Sequence, residues 1–134
     1  MLQTIGISYL GQAATKARVG VSSIYHFSDE ALTTQNYQRC LERLIKTSSH
    51  EIGHMFSCLH CTHAVCVLNG SNSLPESDLK PNRLCSECLH KLQWNLGFDI
   101  GQRNANLVAF FKQHGLLEDL LLAEKDKPLL GREN

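Results

Sequence analysis

The chain has 134 residues, a length that suits one domain and is short for two. Hydrophobic residues make up 43% and charged residues 19%, a balance from which a core can be built. Thirteen Lys plus Arg offset thirteen Asp plus Glu, so there is no basic field to displace the counterions of a nucleic acid. No apolar run approaches the roughly 20 residues of a membrane helix, so neither a nucleic acid nor a membrane is expected as a partner. Met1-Leu2-Gln3-Thr4-Ile5-Gly6 lacks the basic start, apolar stretch and cleavage site of an export signal. Six cysteines and seven histidines therefore read as metal ligands before they read as disulfides.

In chain order, Ile5 to Leu10 and Val19 to Phe27 are β-branched and aromatic runs that predict two strands, separated by Gly11-Gln12-Ala13-Ala14-Thr15. Thr33 is a plausible N-cap. After it Tyr37, Cys40, Leu41, Leu44, Ile45, Ser48 and Ile52 follow helical spacing, giving a helix to about residue 57. Residues 61–85 hold Asn69-Gly70-Ser71-Asn72-Ser73, Pro75 and Pro81 and read as irregular. A helix over 86–96 stops at Gly97. Asp99 caps the next, with Gln102 in the capping-box position and Ile100, Leu107, Phe110 and Phe111 on its apolar face. Leu116 to Leu122 is one more helix, and a polar tail follows from about 124 to 134. The expected organisation is one domain over 1–124 and a tail over 125–134.

His50-Glu51-Ile52-Gly53-His54 is an HExxH sequence on the first helix. Four helical residues turn about 400° and rise about 6 Å, so both imidazoles face the same way and can grip one zinc. Glu51 sits beside them as a general base. His60 would point away if the helix continued, so the chain must turn back between His54 and His60. Position 57 is the natural place for a left-handed residue. It is a serine, for which that conformation costs about 1–2 kcal/mol. His26, His63, His90 and His114 show no partner spacing.

Cys61-x4-Cys66 and Cys85-x2-Cys88 are two close cysteine pairs joined by a loop. They form the pattern of a closed four-thiolate structural zinc site, with two disulfides as the alternative. Zinc would order a loop that has little core of its own. Cys40 fits the apolar helix face and Cys58 lacks pairing spacing; both read as free thiols.

His50-Glu51-x2-His54-x5-His60, Cys61-x4-Cys66 and Cys85-x2-Cys88 together resemble the archaemetzincin family of zinc metallopeptidases. Leu10-Gly11-Gln12-Ala13, Val19-Gly20-Val21, Asn69-Gly70-Ser71-Asn72-Ser73, Leu84-Cys85, Leu89-x-Lys91-Leu92-Gln93 and Gly97-Phe98 add to the likeness, which covers about residues 5 to 113. The resemblance implies an α/β (α+β) metzincin-type zincin domain, a short twisted sheet over an active-site helix with C-terminal helices. It implies two zinc ions: a catalytic one on His50, His54 and His60, and a structural one on Cys61, Cys66, Cys85 and Cys88. It also implies hydrolysis of peptide bonds through a zinc-bound water with Glu51 as general base. A monomer acting on a peptide or protein substrate in the cytoplasm, with the nucleus as a second setting, is the corresponding expectation. The family has glycine at Ser57, methionine at Leu68, and a longer N-terminal part of the sheet. A truncated, zinc-binding but inactive module is therefore the alternative, and a cysteine-only interaction module resembling a zinc ribbon is the third reading.

Overall fold

The computed structural model describes residues 10–28 and 30–130. The first expected strand, Ile5 to Leu10, lies almost wholly outside them. What the sequence suggests is the intervening turn is itself a strand. β1 (Gly11–Ala14) pairs antiparallel with β2 (Val19–Ser22), with Gly11 opposite Ser22 and Ala14 opposite Val19. Ser23 N–H extends the ladder to the Leu10 carbonyl at 2.9 Å. Composition misleads at β1 because its glycine and alanines suit a close approach. A Cβ on Gly11 would sit 2.8 Å from Thr47 Cγ2 and 3.0 Å from Glu51 Cγ, so the strand can lie this near the helix beneath it only with glycine there. β2 ends at Ser22, short of Phe27, because residues 24–27 fold into a turn with Phe27 N–H on the Ile24 carbonyl.

That helix is α1 (Tyr37–Met55). It begins four residues after Thr33, and Asn36 occupies the N-cap position without capping. The Asn36 side chain organises the preceding loop: Oδ1 accepts from Thr33 N–H at 2.8 Å, and Nδ2 donates to Ser28 Oγ and the Ala31 carbonyl. Within the segment expected to be irregular lies α2 (Leu74–Leu79). Ser73 Oγ accepts from Glu76 N–H and Pro75 stands in the first turn, where a missing N–H costs nothing. Ser73-x-x-Glu76 is itself a helix-start pattern, obscured in the sequence by the proline.

α3 (Ser86–Leu96) ends at Gly97 with φ 71°, as its sequence predicts. α4 (Ile100–His114) starts at Asp99, whose carboxylate accepts from Gln102 N–H at 2.5 Å. Gly115 at φ 67° reverses the chain into α5 (Leu117–Leu130), which runs past the expected start of the tail at 125 and through Pro128. Tertiary bonds hold it there. Asn104 Nδ2 donates to the Ala123 carbonyl at 3.0 Å, and Arg83 forms a two-pronged pair with Asp126. Residues 131–134 lie outside the described part.

Among the described residues the core is divided among three small clusters, and α1 is the beam between them. Cys40 joins Leu10 and Phe27 under the ribbon. Leu41 and Ile45 pack on Phe111, Leu116 and Ala123 of the α4–α5 hairpin. Cys66, Val67, Leu68 and Cys88 make the third cluster. Arg43, near the middle of α1, bonds Asp78 of α2 at 2.9 and 2.6 Å and the Phe27 carbonyl, tying α1 to α2 and to the end of the ribbon.

Asp119 in the first turn of α5 is held up to about pH 6 by burial and by the nearby Glu42, against the opposing pull of Lys46 and Asn82. A carboxyl that binds its proton more tightly folded than unfolded loses stability as pH rises from about 4 to about 6. Asp119→Asn should therefore raise the melting temperature at pH 7–8, on the order of 1–2 kcal/mol after discounting for partial exposure, and change little at pH 4. Thermal denaturation at both pH values checks this.

Candidate metal centre

His50 and His54 project from successive turns of α1, with ring centroids 4.6 Å apart. The chain then reverses where the sequence requires. Ser57 has φ 69°, and it forms the left-handed position of a Schellman turn: Ser57 N–H bonds the His54 carbonyl and Cys58 N–H bonds the Gly53 carbonyl, both at 3.0 Å. This brings His60 back, its ring 5.2 Å from His50 and 4.9 Å from His54. One ligand nitrogen from each of the three lies within 4.8 Å of the others.

The segment after α1 also sets the histidine tautomers. His50 Nδ1 lies 2.8 Å from the Val67 carbonyl, and His54 Nδ1 lies 2.7 Å from the Cys58 carbonyl. A carbonyl can only accept, so each Nδ1 carries its proton and donates it. Each neutral ring is then left with a lone pair on Nε2, and these two nitrogens face each other at 3.0 Å. Two lone pairs at that distance repel unless a cation lies between them. Tetrahedral bonds of about 2.0–2.1 Å would set such nitrogens about 3.3 Å apart, so the donor set fits a small tetrahedral metal ion. Burial pulls the His50 pKa down to about 4, with Lys80, His54 and His60 adding repulsion. His60 is lowered by burial too. Burial thus favours the neutral form of His50 and His60, the form that ligates.

Glu51 is buried, 6% exposed, between α1 and Gly11 of β1, and burial raises its carboxyl pKa. Behind the histidines lies Leu68, fully buried. A Cβ on Gly53 would meet Leu68 Cδ2 at 2.4 Å, so glycine within the HExxH motif is what lets the chain at Leu68 pack flush against the helix.

Cys61, Cys66, Cys85 and Cys88 converge as a second group, again with ligand atoms within 4.8 Å of one another. Cys61 Sγ and Cys85 Sγ are 3.8 Å apart, the spacing expected of sulfurs about 2.3 Å from a shared tetrahedral ion. All six cysteines are free thiols, so neither alternative disulfide is formed. Burial raises Cys66 and Cys88, whereas at Cys61 the upward effect of burial is outweighed by hydrogen bonding with the Ala64 and His63 backbone and with Cys88 and Cys85, leaving it at about 7. Such a cluster cannot fully ionise without a cation. Cys40 and Cys58, buried and half-buried, are not among the four converging thiols, although Cys58 packs against their cluster. His63 pairs with Glu87 and His90 bonds the Ser86 carbonyl; neither belongs to a metal-binding group among the described residues.

Two residues that sequence reasoning passes over organise both groups. Asn69 Oδ1 accepts from Cys66 N–H at 2.8 Å, and Nδ2 donates to the Cys61 and Ala64 carbonyls at 2.9 Å. Lys80 Nζ donates to the Asn69 carbonyl at 2.8 Å and reaches the Val67 carbonyl at 3.5 Å, the same oxygen that orients His50. Asn69-Gly70 reads in the sequence as a turn and as part of the family likeness, with no sign of its bonds to the cysteine segment, and no local pattern marks Lys80.

The model of Peptidase family M54 matches residues 4–94, a shorter stretch than the 5–113 suggested by the motifs. Archaemetzincin-2 of Homo sapiens is 44% identical over 87 residues, 65% of this chain and 24% of that protein. Archaemetzincin of Pyrococcus abyssi is 35% identical over 94 residues, 69% of this chain and 50% of that protein. The match therefore spans between a quarter and a half of the length of these relatives. A crystal structure of archaemetzincin from Archaeoglobus fulgidus is 36% identical with a TM-score of 0.46, over 54% of this chain and 42% of that one.

The strain at Ser57 is directly measurable. Ser57→Gly should stabilise the chain by about 0.5–1 kcal/mol, the left-handed penalty less the entropy that glycine gains when unfolded. Ser57→Val should destabilise it by at least about 1 kcal/mol, since a β-branched residue resists φ above zero. Denaturant titration of the three proteins distinguishes the two directions.

Proposed function

The chain belongs to peptidase family M54, and on that premise we propose that it is a zinc-dependent metallopeptidase. In this reading His50, His54 and His60 hold the catalytic zinc, Glu51 is the general base, and Cys61, Cys66, Cys85 and Cys88 hold a second, structural zinc. The observation that carries it is the opposed pair of Nε2 lone pairs on His50 and His54 at 3.0 Å, with both Nδ1 atoms committed to carbonyls.

When bound, zinc supplies Lewis acidity, polarising a carbonyl oxygen and lowering the pKa of a water to about 7. The protein supplies the rest. Glu51, its pKa raised by burial, is suited to take a proton from water and return it to the leaving amine, a contribution of about 10²–10⁴-fold. The Val67 and Cys58 carbonyls keep the imidazoles of His50 and His54 oriented, with Nε2 turned toward the site. An extended peptide would add as a strand along the edge of β2 that is unpaired among the described residues, with Val19 and Val21 exposed beside it. Beyond His60, a cleft of about 840 Å³ lined by Arg18, Phe56, Leu59 and Trp94 offers room for substrate residues.

The second reading is a metal-binding module without catalysis, favoured by the cover that β1 places over Glu51. A monomer in the cytoplasm or nucleus accords with a reduced cysteine cluster. Among the described residues no helix is long and apolar enough to cross a membrane.

Glu51→Ala should lower peptide turnover by at least about 10²-fold while leaving the metal content unchanged. Turnover that survives the substitution refutes the role of Glu51. A metal-loaded wild-type chain that cleaves nothing across a peptide library favours the second reading.

A further inference from the structure

Among the described residues three arginines are half-buried, and two of them have acids. Arg43 grips Asp78 and Arg83 grips Asp126, each with two bonds. Arg103, in the first turn of α4, has none. Its guanidinium stands 5.8 Å from the Phe98 ring centroid and makes no side-chain hydrogen bond or ion pair among the described residues. The carboxylates that share its neighbouring hollow are engaged elsewhere, Asp126 with Arg83 and Asp119 with Asn82. Burial alone, with no acid to offset it, pulls the Arg103 pKa down. A desolvated charge without a counter-ion is a cost that an anion would remove.

Arg103 also lines a cavity of about 360 Å³ between α1, α3 and α4, walled by Ile52, Phe56, Leu96, Phe98, Leu107 and Phe110. The volume is within the range of small-molecule sites, and an apolar wall with one oriented polar group is their usual composition. Ile52, Leu96 and Phe110 remain 46%, 45% and 38% exposed at the rim, so the cavity is open to solvent. A guanidinium fork matches a carboxylate with two parallel hydrogen bonds.

We propose that this cavity binds a small aliphatic carboxylic acid, its carboxylate paired with Arg103 and its chain laid between Ile52, Leu107 and Phe110. The site uses the face of α1 that carries Ile52, with Phe56 just past the helix end, and its lining includes neither His50 nor His54, so it does not depend on the metallopeptidase reading. The bound acid would brace α1 against α3 and α4 from behind the histidine centre.

Decanoate is the probe, with decanol and acetate as controls for chain without charge and charge without chain. On the full chain, decanoate should bind saturably in calorimetry and raise the melting temperature, with decanol and acetate each at least 10-fold weaker. Arg103→Gln should lower decanoate affinity by about 10–100-fold and leave decanol binding unchanged. If Arg103→Gln does not fold, Arg103→Lys keeps the charge without the fork, and decanoate should weaken at least severalfold. Leu107→Trp, which fills the cavity, should abolish binding of both decanoate and decanol. No decanoate binding up to its solubility, decanol equal to decanoate, or full affinity in Arg103→Gln would overturn the proposal. So would concentration-dependent dimerisation in sedimentation that Ile52→Glu disrupts and decanoate does not compete, since the cavity would then be an interface between copies.

Discussion

Two backbone carbonyls, those of Val67 and Cys58, fix the rings of His50 and His54 so that their Nε2 lone pairs meet at 3.0 Å. Everything around the site serves that arrangement. The carbonyls belong to the segment that follows α1, which can lie beside the helix only because the chain reverses at Ser57 and because Gly53 has no side chain to hold Leu68 away. Lys80 and Asn69 then pin the segment from behind, through the carbonyls of Val67, Asn69 and Cys61. The three histidines are the visible part of a site whose geometry is set largely by backbone.

The two metal-binding groups are coupled through the same segment. Val67 and Leu68 follow Cys66 directly, so any ion that gathers the four sulfurs also places the Val67 carbonyl at His50. The hydrophobic part of this region is only a few side chains, and the core of the described residues is divided among three clusters. A chain of this size with so fragmented a core would gain from metal, because binding energy at a site absent from the unfolded state becomes folding energy.

Much of this is legible in the sequence where the determinants are local. The turn of 400° over four residues places His50 beside His54, Asp99 and Gly97 mark helix ends, and the misfit of His60 with a continuing helix locates the reversal at Ser57. What escapes is set by distant partners. β1 has the composition of a turn, and it is a strand because Val19–Ser22 pairs with it over a helix close enough to require Gly11. Pro75 masks the Ser73–Glu76 start of α2. α5 continues through Pro128 because Ala123 and Asp126 are held by Asn104 and Arg83. Lys80 matters only through carbonyls more than ten residues away, which no local pattern records.

On the proposed reading both groups of donors hold zinc at once. Native mass spectrometry of protein purified without chelator tests it most directly. Two zinc ions per chain are expected, falling to one in His50→Ala and to one or none in Cys85→Ser, since the cysteine site also positions the carbonyl behind His50. A single ion in the wild type, retained in His50→Ala, would contradict the account and leave the facing imidazoles without the cation that their geometry requires.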